Sequence, residues 1–159
     1  MGRLVERSEL AEICKQEREA KRVVVTTNGC FDILHVGHVR ILQQARALGD
    51  LLVVGINSDA SVQKLKGPTR PINSEQDRAE VLSALACVDY VTIFDEDTPV
   101  EFLTEAKPNI HVKGSDYKPS DLAETPVVES YGGRVEILAL VPNKSTTRVV
   151  DRIKSDSCP

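Results

Sequence analysis

The stretch Val23-Val-Val-Thr-Thr-Asn28-Gly-Cys-Phe-Asp-Ile-Leu-His35-Val-Gly-His38 decides how this chain is read. Val23 to Val25 form a β-branched run that continues into Thr26 and Thr27, which predicts a short buried strand. Asn28-Gly29 ends that strand with the residue pair most tolerant of unusual backbone angles. Beyond it, apolar Val39, Leu42, Ala45 and Leu48 recur at three- and four-residue steps and predict a helix. Strand, glycine turn and helix in that order aim backbone N–H groups at a bound anion, usually a phosphate. His35 and His38 stand three apart at the helix start and therefore share one face, with Gly37 between them leaving the backbone open to a ligand. Two imidazoles so placed are able to donate hydrogen bonds to phosphoryl oxygens as charge grows in a transition state. The chain has three histidines in all, and the plain alternative for these two is a solvated surface pair.

Outward from this stretch, Gly49-Asp50 punctuates and Leu51 to Ile56 reads as a second buried strand. A strand, helix and strand of this length imply a parallel pair joined by a right-handed crossover. Asn57-Ser58-Asp59 is a second polar strand end, which either caps the helix running to Leu65 or lines a nucleotide pocket. Lys64, Lys66 and Arg70 surround the breaker Gly67-Pro68, forming either a solvated turn or a clamp on phosphates. Ser74-x-x-Asp77 opens another helix as a capping-box variant. Arg78 in its first turn opposes the helix dipole by about 0.3–1 kcal/mol, a cost that a ligand phosphate or a neighbouring Glu75 or Asp77 would offset.

Tyr90 to Phe94 predicts a third strand, Thr98-Pro99-x-Glu101 a helix start, and Asn109 to Val112 a fourth strand. The fourth strand runs into Lys113-Gly114-Ser115-Asp116-Tyr117, and Arg134 to Leu140 makes a fifth strand after Gly132-Gly133. In open parallel sheets ligands sit beyond the carboxyl ends of the strands, where strand order reverses, which gives that glycine loop weight. Ser145-Thr146-Thr147-Arg148 is a hydroxyl-rich helix start suited to terminal phosphates of a nucleotide. Upstream, Ser8 to Lys21 reads as a helix capped by Ser8, with Leu10, Ile13 and Cys14 as a thin apolar stripe. Residues 155–159 read as a frayed tail.

Composition bounds the function classes. With 159 residues, 41% apolar and 28% charged, the chain has the balance of a soluble globular domain with a sizeable core. A net charge of −4 and a pI near 5.4 argue against nucleic-acid binding, and 4% aromatics without tryptophan leave no base-stacking platform. No apolar run is long enough for a membrane span, and residues 1–20 read as charged and helical, without a signal pattern. Cys14, Cys30, Cys87 and Cys158 lack Cys-x-x-Cys spacing, so neither zinc nor a disulfide framework is indicated and a reduced, cytoplasmic protein is expected.

Thr27 to His38, with its Phe31-Asp32-Ile33-Leu34-His35-Val36-Gly37-His38 core, resembles the signature of the cytidylyltransferase-like nucleotidyltransferases. Gly55-Ile56-Asn57-Ser58-Asp59, Arg70-Pro71-Ile72, Lys113-Gly114-Ser115-Asp116-Tyr117 and Lys144-Ser145-Thr146-Thr147 narrow the resemblance to the heptose 1-phosphate adenylyltransferases, over about Val23 to Ile153. That family often carries two glycines where this chain has Gly114-Ser115. The resemblance implies an α/β fold, a Rossmann-like three-layer sandwich with a five-stranded parallel sheet, in one nucleotidyltransferase domain spanning residues 1–159. It implies transfer of AMP from ATP to D-glycero-β-D-manno-heptose 1-phosphate, releasing pyrophosphate and giving ADP-heptose for the lipopolysaccharide core. A cytidylyltransferase for glycerol 3-phosphate or a related alcohol phosphate is the runner-up, and a non-catalytic nucleotide sensor the reading from another class.

On the resemblance, His35, His38 and Lys66 are the expected catalytic residues. Asn28, Gly29, Cys30, Phe31, Gly37, Arg78, Lys113, Ser145, Thr146 and Thr147 are expected at the nucleotide, and Asp32, Asn57, Asp59, Gly114 and Asp116 at the acceptor. Mg²⁺ is expected to arrive with ATP, because no dedicated carboxylate cage is visible. The expected partners are ATP and a sugar 1-phosphate, a second copy in a homodimer and a separate heptose kinase, without nucleic acid or membrane.

Overall fold

The computed structural model describes residues 1–142 and 144–155; of the expected frayed tail at 155–159, Ser155 ends the last helix and the remainder, with Cys158, lies outside the described residues. In chain order the elements are β1 (Arg3–Leu4), α1 (Arg7–Glu19), β2 (Val24–Gly29), α2 (Val36–Arg46), β3 (Leu51–Asn57), α3 (Asp59–Lys66) and α4 (Glu75–Ser83). They continue as β4 (Tyr90–Phe94), α5 (Val100–Ala106), β5 (Ile110–Gly114), a short 3-10 turn (Pro119–Asp121), α6 (Thr125–Ser130), β6 (Arg134–Leu138) and α7 (Thr146–Ser155). The strands pair in the order β1-β4-β3-β2-β5-β6, every pair parallel.

The layering follows from the strand pattern. β3 is buried along its whole length, as a central parallel strand must be when helices cover both faces. Its alternate residues enter two different cores. Leu52, Val54 and Ile56 meet Ile41, Leu42 and Ala45 of α2 and Ala79 and Leu82 of α4. Leu51 and Val53 meet Leu10 and Cys14 of α1, Phe102 and Leu103 of α5 and Val128 of α6. The result is a Rossmann-like helix, sheet, helix sandwich. Full burial of a side chain such as Leu42 or Leu52 contributes about 1.5–3 kcal/mol.

The sheet has six strands rather than the expected five. The extra strand, β1, lies within residues 1–20, expected to be helical throughout. Two residues carry no periodic signal, and their pairing with Tyr90 and Val91 is supplied by the edge of β4. The Arg3 N–H donates to the Asp89 carbonyl at 3.0 Å and the Val5 N–H to the Val91 carbonyl at 2.9 Å. α1 starts at Arg7 with Glu6 at its N-cap and no side-chain cap, so Ser8 lies inside the helix instead of capping it. Arg7 anchors this end through ion pairs to Glu96 and Glu105. α5 likewise starts at Val100, with Pro99 rather than Thr98 at its cap. The Ser74 cap of α4 forms as expected, its hydroxyl accepting the Asp77 N–H at 3.2 Å.

From β2 the chain builds outward through β3 to β4 on one side and then crosses to β5 and β6 on the other. The order therefore reverses between β2 and β5, which places a crevice above their carboxyl ends.

Candidate active site

A cavity of about 680 Å³ lies over those strand ends, and every candidate site residue named from the sequence lines it except Arg78 and Asp59. At its centre is the turn from β2 into α2. His35 is the N-cap of α2, its Nδ1 accepting the Gly37 N–H at 3.1 Å, a task usually given to Ser, Thr, Asp or Asn. That bond leaves the His35 proton on Nε2. The His35 and His38 rings stack with centroids 3.8 Å apart, and Phe31 meets His38 edge-on at 5.1 Å. Gly37 is required here: a Cβ at this position would lie 2.9 Å from the His35 ring. Phe31 has φ 46, a conformation costly for an aromatic residue, and the loop contacts described below hold it there.

Both imidazoles are neutral at physiological pH. Burial, then the neighbouring His35 and Lys66, push His38 down from 6.5 to about 4. Burial and Lys144 push His35 down as well. Burial raises the Cys30 thiol, so it remains protonated, with its Sγ 3.8 Å from Asn57 Oδ1.

One wall of the cavity is knitted from charged groups that pair with one another. Asp32 Oδ1 accepts the Ile72 N–H at 2.8 Å and the Asn73 N–H at 3.0 Å, while Oδ2 pairs with Arg70 at 2.7 Å. Arg78 is buried completely: Nη1 donates to the Cys30 carbonyl at 2.6 Å, Nε to the Asn73 carbonyl at 3.1 Å and Nη2 to Asp59 Oδ1 at 2.7 Å. The structure thus places Arg78 and Asp59 behind the wall, gripping the Cys30–Asp32 turn, and not in the cavity. The dipole cost of Arg78 is offset by Asp59 and two carbonyls. Ser58 caps α3 through the Ser61 N–H at 3.2 Å, and Asn57 lines the cavity while its Nδ2 donates to Ser61 Oγ at 3.0 Å.

The opposite side is more open. Lys66 and Lys144 are exposed at the rim and, among the described residues, neither has an ion-pair partner, whereas Lys64 turns away to Asp97 at 3.7 Å. Ser145 Oγ accepts the Arg148 N–H at 3.2 Å and Thr146 Oγ1 donates to the Ile33 carbonyl at 3.3 Å. Two of the three successive hydroxyls therefore cap and anchor α7, and Thr147 is left exposed. Gly114 makes room for its neighbours: a Cβ there would lie 2.8 Å from both Asp116 Oδ1 and a Leu140 methyl.

A model of the cytidylyltransferase-like family matches residues 26–152. The chain belongs to the cytidylyltransferase-like family. Its parallel sheet and histidine turn are thus those of a nucleotidyltransferase. It is 56% identical over 147 residues to the bifunctional protein HldE of Syntrophotalea carbinolica, a match covering 92% of this chain and 30% of that protein. It is also 56% identical over 146 residues to the bifunctional protein HldE of Campylobacter concisus, again 92% of this chain and 30% of the relative. The chain thus spans about 30% of the length of these relatives. Among solved structures it is similar to the lipopolysaccharide core biosynthesis protein of Thermoplasma volcanium, with TM-score 0.64 and 30% identity, covering 77% of this chain and 99% of that one.

This member of the family has cavity residues that the sequence reading passed over. Asp97, Thr98 and Pro99 reach it from the β4–α5 loop, Leu122 and Glu124 from the approach to α6, and Leu140 and Val141 from beyond β6. Thr98-Pro99 was legible only as a helix start, and Glu124 stands in no recognisable pattern. Among the described residues no group of three or more His, Cys, Asp or Glu is arranged to hold a metal, and no helix is long and apolar enough to cross a membrane.

Proposed function

We propose that this chain transfers AMP from ATP to D-glycero-β-D-manno-heptose 1-phosphate, giving ADP-heptose and pyrophosphate. The observation that carries the reading is the stacked, neutral His35–His38 pair at the start of α2, in one cavity with exposed Lys66 and Lys144 and the α7 N-terminus. The motifs flanking that pair and the similarity to HldE proteins support the heptose acceptor and the adenine nucleotide.

The chemistry asks little of a general base, because a sugar 1-phosphate is already an anionic nucleophile. Catalysis reduces to positioning and charge stabilisation during in-line attack on the ATP α-phosphorus. His35, with its proton on Nε2, and His38 donate to the α-phosphoryl oxygens as negative charge accumulates. An arriving phosphate favours the protonated form of both rings, and an imidazolium is the stronger donor. Gly37 and Gly29 allow close approach, while Lys66, Lys144 and Thr147 at the open rim hold the departing pyrophosphate. Magnesium supplies charge neutralisation on the triphosphate when bound. The buried carboxylates of the cavity, Asp32 and Glu124, are each already ion-paired, a donor set that fits an ion carried by the nucleotide and not a protein cage. On the same reading the protein works in the cytoplasm as a homodimer, supplied by a heptose kinase.

The test is pyrophosphate release with Mg²⁺, crossing ATP and CTP against heptose 1-phosphate and glycerol 3-phosphate. Turnover with ATP and the β-heptose 1-phosphate alone is expected. Turnover with CTP and the alcohol phosphate would overturn the acceptor and base assignments, and nucleotide binding without turnover in any arm would overturn the enzyme.

A further inference from the structure

The switch-point crevice is bridged by a buried ion pair that the reaction above does not use. Thr27 of β2 is in register with Val112 of β5, so Asn28 and Lys113 follow side by side at the two strand ends. Lys113 Nζ donates to Asn28 Oδ1 at 2.7 Å and pairs with Glu124 Oε1 at 2.7 Å. The side chains of Lys113 and Glu124 are only 11% and 5% exposed, yet both line the cavity, and the Tyr117 ring covers Nζ at 5.4 Å.

We propose that the Lys113–Glu124 pair binds neighbouring hydroxyls of a sugar ring, with Glu124 also holding Lys113 in place; this rests on the nucleotidyl-transfer reading. A desolvated ion pair is a poor way to stabilise a fold, since apolar residues of like volume do as well or better. Its charges also cancel, so it offers little to a phosphate, whereas Lys66 and Lys144 at the rim have no ion-pair partner among the described residues. What it does offer is an ammonium with one N–H beyond the two engaged, adjacent to a carboxylate acceptor. A pair of vicinal hydroxyls donates and accepts in the same sense. Phosphates are thereby sorted to the rim and hydroxyls to the crevice floor. Two sugars meet that description, the ribose of the nucleotide and the ring of the acceptor.

The experiment compares wild type, Glu124→Ala, Glu124→Gln and the double variant Lys113→Met with Glu124→Leu, measuring kcat, both KM values and the melting temperature. Glu124→Ala is expected to raise KM for one sugar-bearing substrate at least tenfold, with Glu124→Gln intermediate. The double variant removes both buried charges; it is expected to melt like wild type while its KM stays raised, which a purely structural ion pair would not do. If Glu124→Ala fails to fold, the double variant and Glu124→Gln carry the test. A rise confined to the acceptor assigns the acceptor ring. A rise for ATP that is matched in wild type by 2′- or 3′-deoxy-ATP, and not compounded in the variant, assigns the ribose. KM values within twofold of wild type in the double variant overturn the proposal while leaving the reaction intact. A wild type that releases no pyrophosphate overturns the reaction first, and this inference with it.

Discussion

On the wall beside α3 and α4, Arg78 is buried against Asp59 and backbone carbonyls and Arg70 is half-buried against Asp32, whereas across the cavity Lys66 and Lys144 stay exposed without an ion-pair partner among the described residues. The two sets are alike in charge, and Lys66 stands only four residues before Arg70. They differ in what surrounds them. A guanidinium presents several donors in a rigid plane and so is able to tie several chain segments together, which Arg78 does for the turn at Cys30, the carbonyl of Asn73 and the start of α3. A lysine at the end of a helix bordering open space keeps its hydration and its charge for a ligand. The wall sets the shape of the site, and the rim carries its electrostatic pull.

The contrast separates variants that lose activity from variants that lose stability. The largest effect is expected at the histidines, which belong to neither set: His38→Ala should lower turnover by about 10²–10³, as loss of one oxyanion donor does, with the fold retained in circular dichroism. Next, Arg78→Met leaves the Cys30 and Asn73 carbonyls without their donor and should lower unfolding free energy by about 2–3 kcal/mol, read from urea denaturation. Intact stability in Arg78→Met with a raised KM for ATP would place Arg78 at the ligand and break the comparison. At the rim, Lys66→Ala should leave the urea midpoint in place and raise KM for ATP by about 10- to 100-fold, the worth of one charge-assisted contact. Its neighbour is the control, since Lys64→Ala removes only an exposed pair with Asp97 and should change either quantity by less than about 0.5 kcal/mol.

The smallest effect is a pH dependence. His38 titrates at about 4 in the folded chain, below its ordinary 6.5, so the unfolded chain binds the extra proton between those values. Its contribution to stability is complete above 6.5, declines as pH falls towards 4 and is flat below that. The urea midpoint of wild type should therefore drop more between pH 7 and pH 5 than that of His38→Gln. Part of the drop should survive in the variant, because buried His111 is also held well below 6.5.

Much of the site was legible because it is local. The Asn28-Gly29 break, the His35-Val-Gly-His38 turn and the Ser145 cap are short-range patterns, and each meets the cavity as its spacing implied. Arg78 misled for a physical reason: an arginine in a first helical turn reads the same whether a ligand or a buried aspartate answers its charge. Glu124 was invisible because its partner stands eleven residues earlier, on another element. His111 could not be read at all. It is a polar residue inside an apolar strand, and its partner Thr26, 2.8 Å away, is supplied by β2 across the sheet.

Sequence alone determined the helices and strands with strong periodicity, the parallel order of β2 and β3, and the family of the histidine turn, since all of these depend on residues near one another along the chain. Tertiary structure decided the sixth strand, the burial of Arg78 behind the wall and the Lys113–Glu124 bridge. Each depends on which groups pair across space, and on whether water or protein answers a given charge.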